Sequence, residues 1–110
     1  MWATAVGDDK LGLVYLPIAN ASVDYVGSHR TELEKKYADS LVAVDVTTGR
    51  DVWHFQALRH DLWDYDLGSQ PTLMDYPGAD GLPVARSKIY MSPCLVGSRM
   101  AATFLPSAPG

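Results

Sequence analysis

The chain has 110 residues, of which 47% are hydrophobic and 20% charged, and its net charge is −4. This balance is that of an ordinary globular domain and argues against disorder along the whole chain. The negative charge leaves no basic surface for a phosphate backbone, so nucleic acid is not expected as a partner. The single cysteine, Cys94, has no partner for an internal disulfide and lacks the spacing of a zinc site.

Neither a membrane helix nor a signal peptide is predicted. No apolar run approaches the roughly 20 residues that a membrane helix needs. The residues Met1 to Thr4 contain neither a basic n-region nor an apolar h-region. If the protein is exported, we expect its targeting segment upstream of this chain.

The first half of the chain predicts one buried strand followed by a long connection. Residues 11–16 are short, apolar and β-prone, and Pro17 is expected to end this strand. Residues 18–39 are polar and irregular, and their charged cluster at 30–36 predicts a solvated loop or a short helix. A connection of this length inside a compact domain is uncommon and is often functional.

The clearest hairpin of the sequence follows. Residues 40–46 form one predicted strand and residues 50–56 the next, with a tight turn at 47–49. Gly49 suits that turn because glycine adopts a positive φ without steric cost. Alternation along the second strand places Trp53 on the face opposite to its immediate neighbours.

Short strands and turns continue beyond a second irregular stretch at 57–70. Residues 71–76 predict a strand, 77–81 a turn, and 82–84 the start of a partner strand. Beyond Ala85 the pattern decays, residues 89–91 predict only a weak strand, and roughly the last 20 residues are expected to be poorly ordered. With no long amphipathic helix, the predicted class is all-β, and radially repeated four-stranded sheets fit this rhythm.

The hairpin also carries a motif. Residues 43–53 read A-V-D-V-T-T-G-R-D-V-W, and they resemble the tryptophan docking pattern A-x-D-x-x-T-G-x-x-x-W of quinoprotein propellers. Asp45 and Thr48 can bond to turn amides, and Trp53 offers a large apolar area for packing. The alternative is a generic hairpin with a core tryptophan, but five positions match in register.

Four further segments extend the resemblance over about residues 1–84. They are H-D-L-W-D-Y-D at 60–66 with S-Q-P at 69–71, L-G-L-V-Y-L-P at 11–17, N-A-S-V-D-Y at 20–25 and H-R-T at 29–31. Together they resemble the membrane-bound PQQ-dependent glucose, quinate and shikimate dehydrogenases, most closely at the catalytic loop of that family.

The resemblance implies an antiparallel eight-bladed β-propeller of which this chain would hold about two blades. It implies PQQ and Ca²⁺ or Mg²⁺ as cofactors, a sugar or cyclic polyol as substrate, the remaining blades as partners and ubiquinone as electron acceptor. It also implies a periplasmic location with membrane association through the parent protein. The segment 1–84 would be the partial propeller, and 85–110 a divergent tail.

The same resemblance implies a catalytic base. In the family it is the aspartate directly after the loop tryptophan, which is Asp64 here. A free aspartate has a pKa of about 3.9 and is ionised at neutral pH, so it can accept the proton of an alcohol. Alone, Asp64 would be taken for a carboxylate that caps a turn; the surrounding loop favours catalysis. His60 and Asp61 either orient this loop or line the substrate pocket.

Metal and cofactor contacts are implied at four further positions. Asn20 corresponds to a metal-binding amide oxygen in several relatives, although Ala19 replaces a glycine found in many of them. Asp66 either joins the metal shell or is a solvated carboxylate. Ser22 corresponds to a hydroxyl that faces PQQ, or is an ordinary loop serine. Trp2 corresponds to the floor beneath the PQQ ring, or is a core tryptophan.

Three functions remain open. The chain is part of a PQQ-dependent dehydrogenase, a non-catalytic propeller scaffold, or an orphan truncated product. The base and the metal amide favour the first, because a scaffold needs neither. Past Val84 the family would have a turn with a lysine that reaches PQQ, and Lys88 does not lie in a recognisable form of it. We therefore expect the isolated chain to be inactive.

Overall fold

The computed structural model describes residues 1, 3–77 and 83–90, with side chains as far as residue 73. Within these residues there are six strands and one short helix. They are β1 (Val6–Asp8), β2 (Leu13–Pro17), α1 (Glu32–Tyr37), β3 (Ser40–Asp45), β4 (Asp51–Gln56), β5 (Thr72–Pro77) and β6 (Pro83–Tyr90).

The strands form two antiparallel sheets. The first has four strands in chain order, β1-β2-β3-β4, and the second pairs β5 with β6. Every strand pairs with a sequence neighbour in antiparallel register. The all-β antiparallel prediction is confirmed, and the chain provides one complete four-stranded unit and two strands of another.

The core lies on one face of the first sheet. Along β2 the buried residues alternate with half-buried ones, as expected for a strand with one covered face. The core cluster combines β2 and β3, and Leu73 of β5 packs against it from the second sheet; its buried members are Leu13, Tyr15, Leu41 and Ala43.

The predicted turn between β3 and β4 is confirmed. The Asp45 Oδ1 atom accepts hydrogen bonds from the Thr47 amide at 2.9 Å and from the Thr48 amide at 2.7 Å. The Gly49 amide donates to the Asp45 carbonyl at 2.8 Å, and Gly49 has a φ of 71°. The turn is therefore held by a side chain of its first residue and by a glycine in the left-handed region.

Two details of the strands differ from the predictions. Strand β1 was not predicted, because its three residues are too few to show a period. Pro17 was expected to end the preceding strand but is itself the last residue of β2, paired with Leu41. A proline is tolerated at a strand end, where the pairing continues through the Ile18 amide, which donates to the Ser40 carbonyl at 2.8 Å.

The charged cluster at 30–36 contributes the helix α1, as one of its two interpretations allowed. Thr31 and Glu34 form a capping box at its start. The Gln56 side chain of β4 donates to the Lys35 and Ala38 carbonyls at 2.9 and 3.0 Å, so the helix end is attached to the sheet. No helix within the described residues is long and apolar enough to cross a membrane.

Strand β6 runs to Tyr90 and so enters the segment 85–110 that the sequence assigns to a divergent tail. The decay of the pattern after Ala85 therefore does not mark the end of this strand. The predicted turn at 77–81 lies, apart from its first residue, outside the described residues, and so do residues 91–110 with their predicted disorder.

Candidate functional site

Two loops leave the same end of the first sheet. The first loop (residues 18–39) joins β2 to β3, and the second loop (residues 57–71) joins β4 to β5. They share an end because Pro17 pairs with Leu41 and Ser40 pairs with Gln56 in antiparallel register. The turns between β1 and β2 and between β3 and β4 lie at the opposite end.

The two loops are joined along their length. At their base, Asp39 donates its amide to the Ala19 carbonyl at 3.2 Å and accepts the Ala57 amide at 2.8 Å. Further out, the Tyr25 amide donates to the Leu62 carbonyl at 2.9 Å. The loops thus form one surface, and side chains from both are available to a single ligand.

Asp64, the expected proton acceptor, is exposed on the second loop. Its φ is 59°, a left-handed conformation that residues other than glycine rarely adopt. The Asp66 carboxylate, followed by desolvation and by Asp24 and Asp61, raises the pKa of Asp64 above its usual range. The negative potential strengthens the affinity of Asp64 for a proton, which is the property that a general base requires.

Asn20 and Asp66, the two expected metal ligands, are brought together. The Asp66 Oδ1 atom accepts a hydrogen bond of 2.6 Å from the main-chain amide of Asn20, 46 residues away in the sequence. The Asn20 Oδ1 atom accepts the Ala21 amide at 2.8 Å, and the buried Asn20 Nδ2 atom has no acceptor among the described residues. The pair therefore places a carboxylate and an amide group at the junction of the loops.

The donor types of this pair suit a hard cation, but their number is small. Ca²⁺ takes about six to eight oxygen ligands. Within the described residues, no group of three or more His, Cys, Asp or Glu side chains is arranged to hold a metal. A cation held by Asn20 and Asp66 would consequently need further ligands from outside these residues.

Of the two expected cofactor contacts, Ser22 lies within the described residues and Trp2 does not. Ser22 is exposed in the first loop. Trp2 lies outside the described residues. The structure therefore brings Asn20, Asp64 and Asp66 to one place and leaves the roles of Ser22 and Trp2 as predictions.

Asp61 organises the second loop. It is buried, with 2% of its surface exposed. Its Oδ1 accepts the Trp63 amide at 2.8 Å and its Oδ2 accepts the Tyr65 amide at 2.7 Å. Of the two roles considered for Asp61, the structure shows that of orienting the loop, an aspartate bonding to amides just ahead of it in sequence.

Two buried charged residues of the first loop were not predicted. Asp39 and Arg30 are 1% and 6% exposed. Desolvation, followed by the Asp61 and Asp66 charges, raises the pKa of Asp39 to about 7, against a smaller opposing effect of Arg30. In sequence both belong to a polar stretch that looks solvated, so only the packing of the second loop reveals their burial.

An aromatic pair lies on the outer surface of the joined loops. The Tyr25 and Trp63 rings meet edge to face with centroids 6.0 Å apart, and their exposed fractions are 68% and 69%. A close approach at Gly27 adds to the fit, since a Cβ there would lie 2.8 Å from His60 Cε1. Trp63 directly precedes Asp64 in the chain, so the carboxylate of Asp64 lies next to a solvent-exposed indole.

Comparison with known proteins identifies the family of the chain. A family model described as the β-propeller domain of PQQ glucose/ethanol/alcohol dehydrogenases matches residues 1–85. The glycerol dehydrogenase large subunit of Gluconobacter oxydans is 52% identical over 83 residues, which are 76% of this chain and 11% of that protein. The quinate/shikimate dehydrogenase (quinone) of Acinetobacter baylyi is 42% identical over 80 residues, 73% of this chain and 10% of that protein.

A solved structure shows the same similarity in three dimensions. A quinohemoprotein alcohol dehydrogenase from Pseudomonas putida HK5 superposes with a TM-score of 0.64 at 29% sequence identity, covering 84% of this chain and 13% of that one. The chain therefore spans about a tenth of the length of these relatives. The four-stranded sheet and its two loops correspond to part of a much larger assembly of sheets.

Proposed function

Because the chain belongs to the family of PQQ-dependent glucose/ethanol/alcohol dehydrogenase β-propellers, we propose that it supplies the catalytic base of an alcohol-oxidising site. The observation that carries this proposal is the placement of Asp64. It follows an exposed tryptophan on a loop in which the Asp61 carboxylate accepts the amides on both sides of Asp64. Asp66, two residues on, ties that loop to Asn20.

The chemistry divides between the chain and its cofactor. When bound, PQQ supplies the quinone that accepts a hydride from the alcohol carbon. Asp64 takes the hydroxyl proton of the same alcohol, so that the carbon becomes a carbonyl and the charges balance. The neighbouring carboxylates raise the pKa of Asp64, which increases its basicity.

Asn20 and Asp66 are proposed as contributors to a Ca²⁺ or Mg²⁺ site beside the base. A carboxylate and an amide group are the ligand types that hard cations prefer, and a hydrogen bond already holds the two residues together. The Ser22 hydroxyl and the Trp2 indole are proposed as PQQ contacts, because a hydroxyl can donate to a quinone or carboxylate oxygen and an indole can stack on a planar ring.

The proposed substrate is a polyhydroxylated alcohol. The names of the similar proteins include a glycerol and a quinate/shikimate dehydrogenase, so both a linear and a cyclic polyol are candidates beside a sugar. We further propose ubiquinone as the electron acceptor and a periplasmic, membrane-associated parent enzyme. The isolated chain is proposed to be inactive, because positioning of reactants contributes roughly 7–11 kcal/mol to catalysis and needs groups from other blades.

A chimera tests the catalytic role. The matching segment of the Gluconobacter oxydans glycerol dehydrogenase large subunit would be replaced by that of this chain, and PQQ-dependent dye reduction with glycerol would be measured with added Ca²⁺. We expect Asp64→Asn to lower kcat by about 10²–10⁴-fold while PQQ remains bound, since the amide keeps the shape and loses the basicity.

Asp9→Asn is the matched control, because Asp9 is an exposed carboxylate in the turn at the opposite end of the sheet. It should leave kcat unchanged. An active chimera that keeps near-normal kcat with Asp64→Asn would show that another residue is the base. A chimera that binds PQQ but never turns over would favour the scaffold function, and turnover by the isolated chain would contradict its proposed dependence on other blades.

A further inference from the structure

A buried carboxylate lies beneath the residue proposed as the base. Asp61 is 2% exposed, although an aspartate on a surface loop is ordinarily solvated. Its two oxygens have separate tasks, since Oδ1 accepts the Trp63 amide at 2.8 Å and Oδ2 accepts the Tyr65 amide at 2.7 Å. These two amides belong to the residues immediately before and after Asp64.

The backbone at Asp64 needs such support. Its φ of 59° is in the left-handed region, which a residue with a Cβ enters only where its surroundings hold it. Asp66 has a φ of 56°, so two of three successive residues from Asp64 share this strained conformation. Without the Asp61 carboxylate, the two flanking amides would lose their acceptors and the segment would be free to relax to more common angles.

A second buried carboxylate lies near Asp61, whose charge contributes to the raised pKa of Asp39. The buried Asp39, 1% exposed, has no donor to either carboxylate oxygen among the described residues. Its backbone joins the bases of both loops through Ala19 and Ala57.

We propose that Asp61 is a positioning residue for Asp64, setting the direction of that carboxylate through the amides on either side of it. The inference rests on the proposed function of Asp64 and goes beyond it. It gives the buried Asp61 carboxylate a role, although only 2% of its surface is exposed. A displacement of about 1 Å at a reacting group can cost about 10²-fold in rate, so the effect of losing Asp61 should be large.

A graded pair of variants tests the proposal in the full chain. Asp61→Asn keeps one acceptor oxygen and should release one of the two amides, whereas Asp61→Ala should release both. Amide hydrogen exchange followed by NMR should therefore become about tenfold faster or more at one of residues 63 and 65 in the first variant, and at both in the second.

Kinetics in the active chimera provide the second readout. We expect kcat to fall by about 10-fold in Asp61→Asn and by about 10²-fold in Asp61→Ala, with KM changed by less than about threefold. Asp45→Asn is the matched control, because Asp45 accepts two amides in the same way in the turn at the other end of the sheet. It should speed exchange only in that turn and leave kcat unchanged.

The outcomes separate this inference from the function on which it rests. If Asp64→Asn abolishes turnover while both Asp61 variants keep kcat within about twofold, the positioning role is wrong and the base is right. Unchanged exchange at residues 63 and 65 overturns the proposal, and so does a rise in KM at constant kcat. If Asp64→Asn itself has no effect, the proposed function fails, while the exchange experiment still decides whether Asp61 orders the loop.

Discussion

The Trp53 and Tyr15 rings meet above Ala43, with their centroids 5.8 Å apart and their planes inclined by 43°. Ala43 pairs with Tyr15 on one side and with Trp53 on the other, so the three side chains share one face of the sheet. The alanine is fully buried. Its single methyl group leaves the space in which the two aromatic rings come together.

Enlarging that residue should force the rings apart. We expect Ala43→Leu to lower the free energy of unfolding by about 1–3 kcal/mol, because added methylene groups in a filled core displace their neighbours. Val52→Leu is the control, since Val52 lies on the same hairpin with 56% of its surface exposed. Urea unfolding followed by tryptophan fluorescence measures both, and equal stability of the two variants would contradict the packing described here.

The turn between β3 and β4 offers a test of backbone conformation. Gly49 has a φ of 71°, and nothing lies within 4 Å of an added Cβ, so strain alone opposes a side chain there. We expect Gly49→Ala to destabilise the chain by about 1–2 kcal/mol. Gly7→Ala should be neutral or slightly stabilising, because Gly7 has equal space without a positive φ. A neutral Gly49→Ala in thermal unfolding would argue against the left-handed turn.

Asp39 should make stability depend on pH. Burial raises its pKa from an ordinary value of 3.8 to about 7, so between these values the folded chain binds a proton that the unfolded chain releases. The contribution of the protonated carboxyl is therefore complete below about pH 4 and is lost as the pH rises through about 7. Each unit of pKa difference corresponds to about 1.4 kcal/mol.

The variant Asp39→Asn isolates this effect, since asparagine keeps the shape and is neutral at every pH. We expect the free energy of unfolding of the variant relative to the parent chain to increase from pH 5 to about pH 7 and to level off above it. Asp9→Asn, an exposed aspartate, should show no such trend. Urea titrations at four pH values provide the comparison, and parallel curves for Asp39→Asn and the parent would show that Asp39 is ionised throughout.

The parts of the fold that sequence could predict are those fixed by local chemistry. The turn at 47–49 follows from Asp45, Thr48 and Gly49, which are close in sequence and bond to one another. The alternation of β2 is likewise visible in its residues. Strand β1 has only three residues, too few to show an alternation of apolar and polar side chains. It forms by pairing with the edge of β2.

The site was predictable to the extent that it lies in one segment. Asp64 was predicted from the residues around it, Asn20 and Asp66 were predicted separately, and the roles of all three stay predictions. Their hydrogen bond joins positions 46 residues apart, and no local pattern indicates it. The burial of Asp39 was hidden for the same reason, because its cover comes from the second loop and a polar sequence alone suggests solvent.

The two ends of the first sheet respond differently to substitution. The end with the tight turns depends on a few residues whose geometry admits little change, such as Gly49. The end with the long loops rests on Asp39 and Asp61 below the surface, while Tyr25 and Trp63 face outwards. Substitutions at those exposed positions change the chemistry of the surface and leave the buried aspartates that support it unchanged. Substitutions meant to change what this surface binds therefore belong at those two positions, with both buried aspartates held constant.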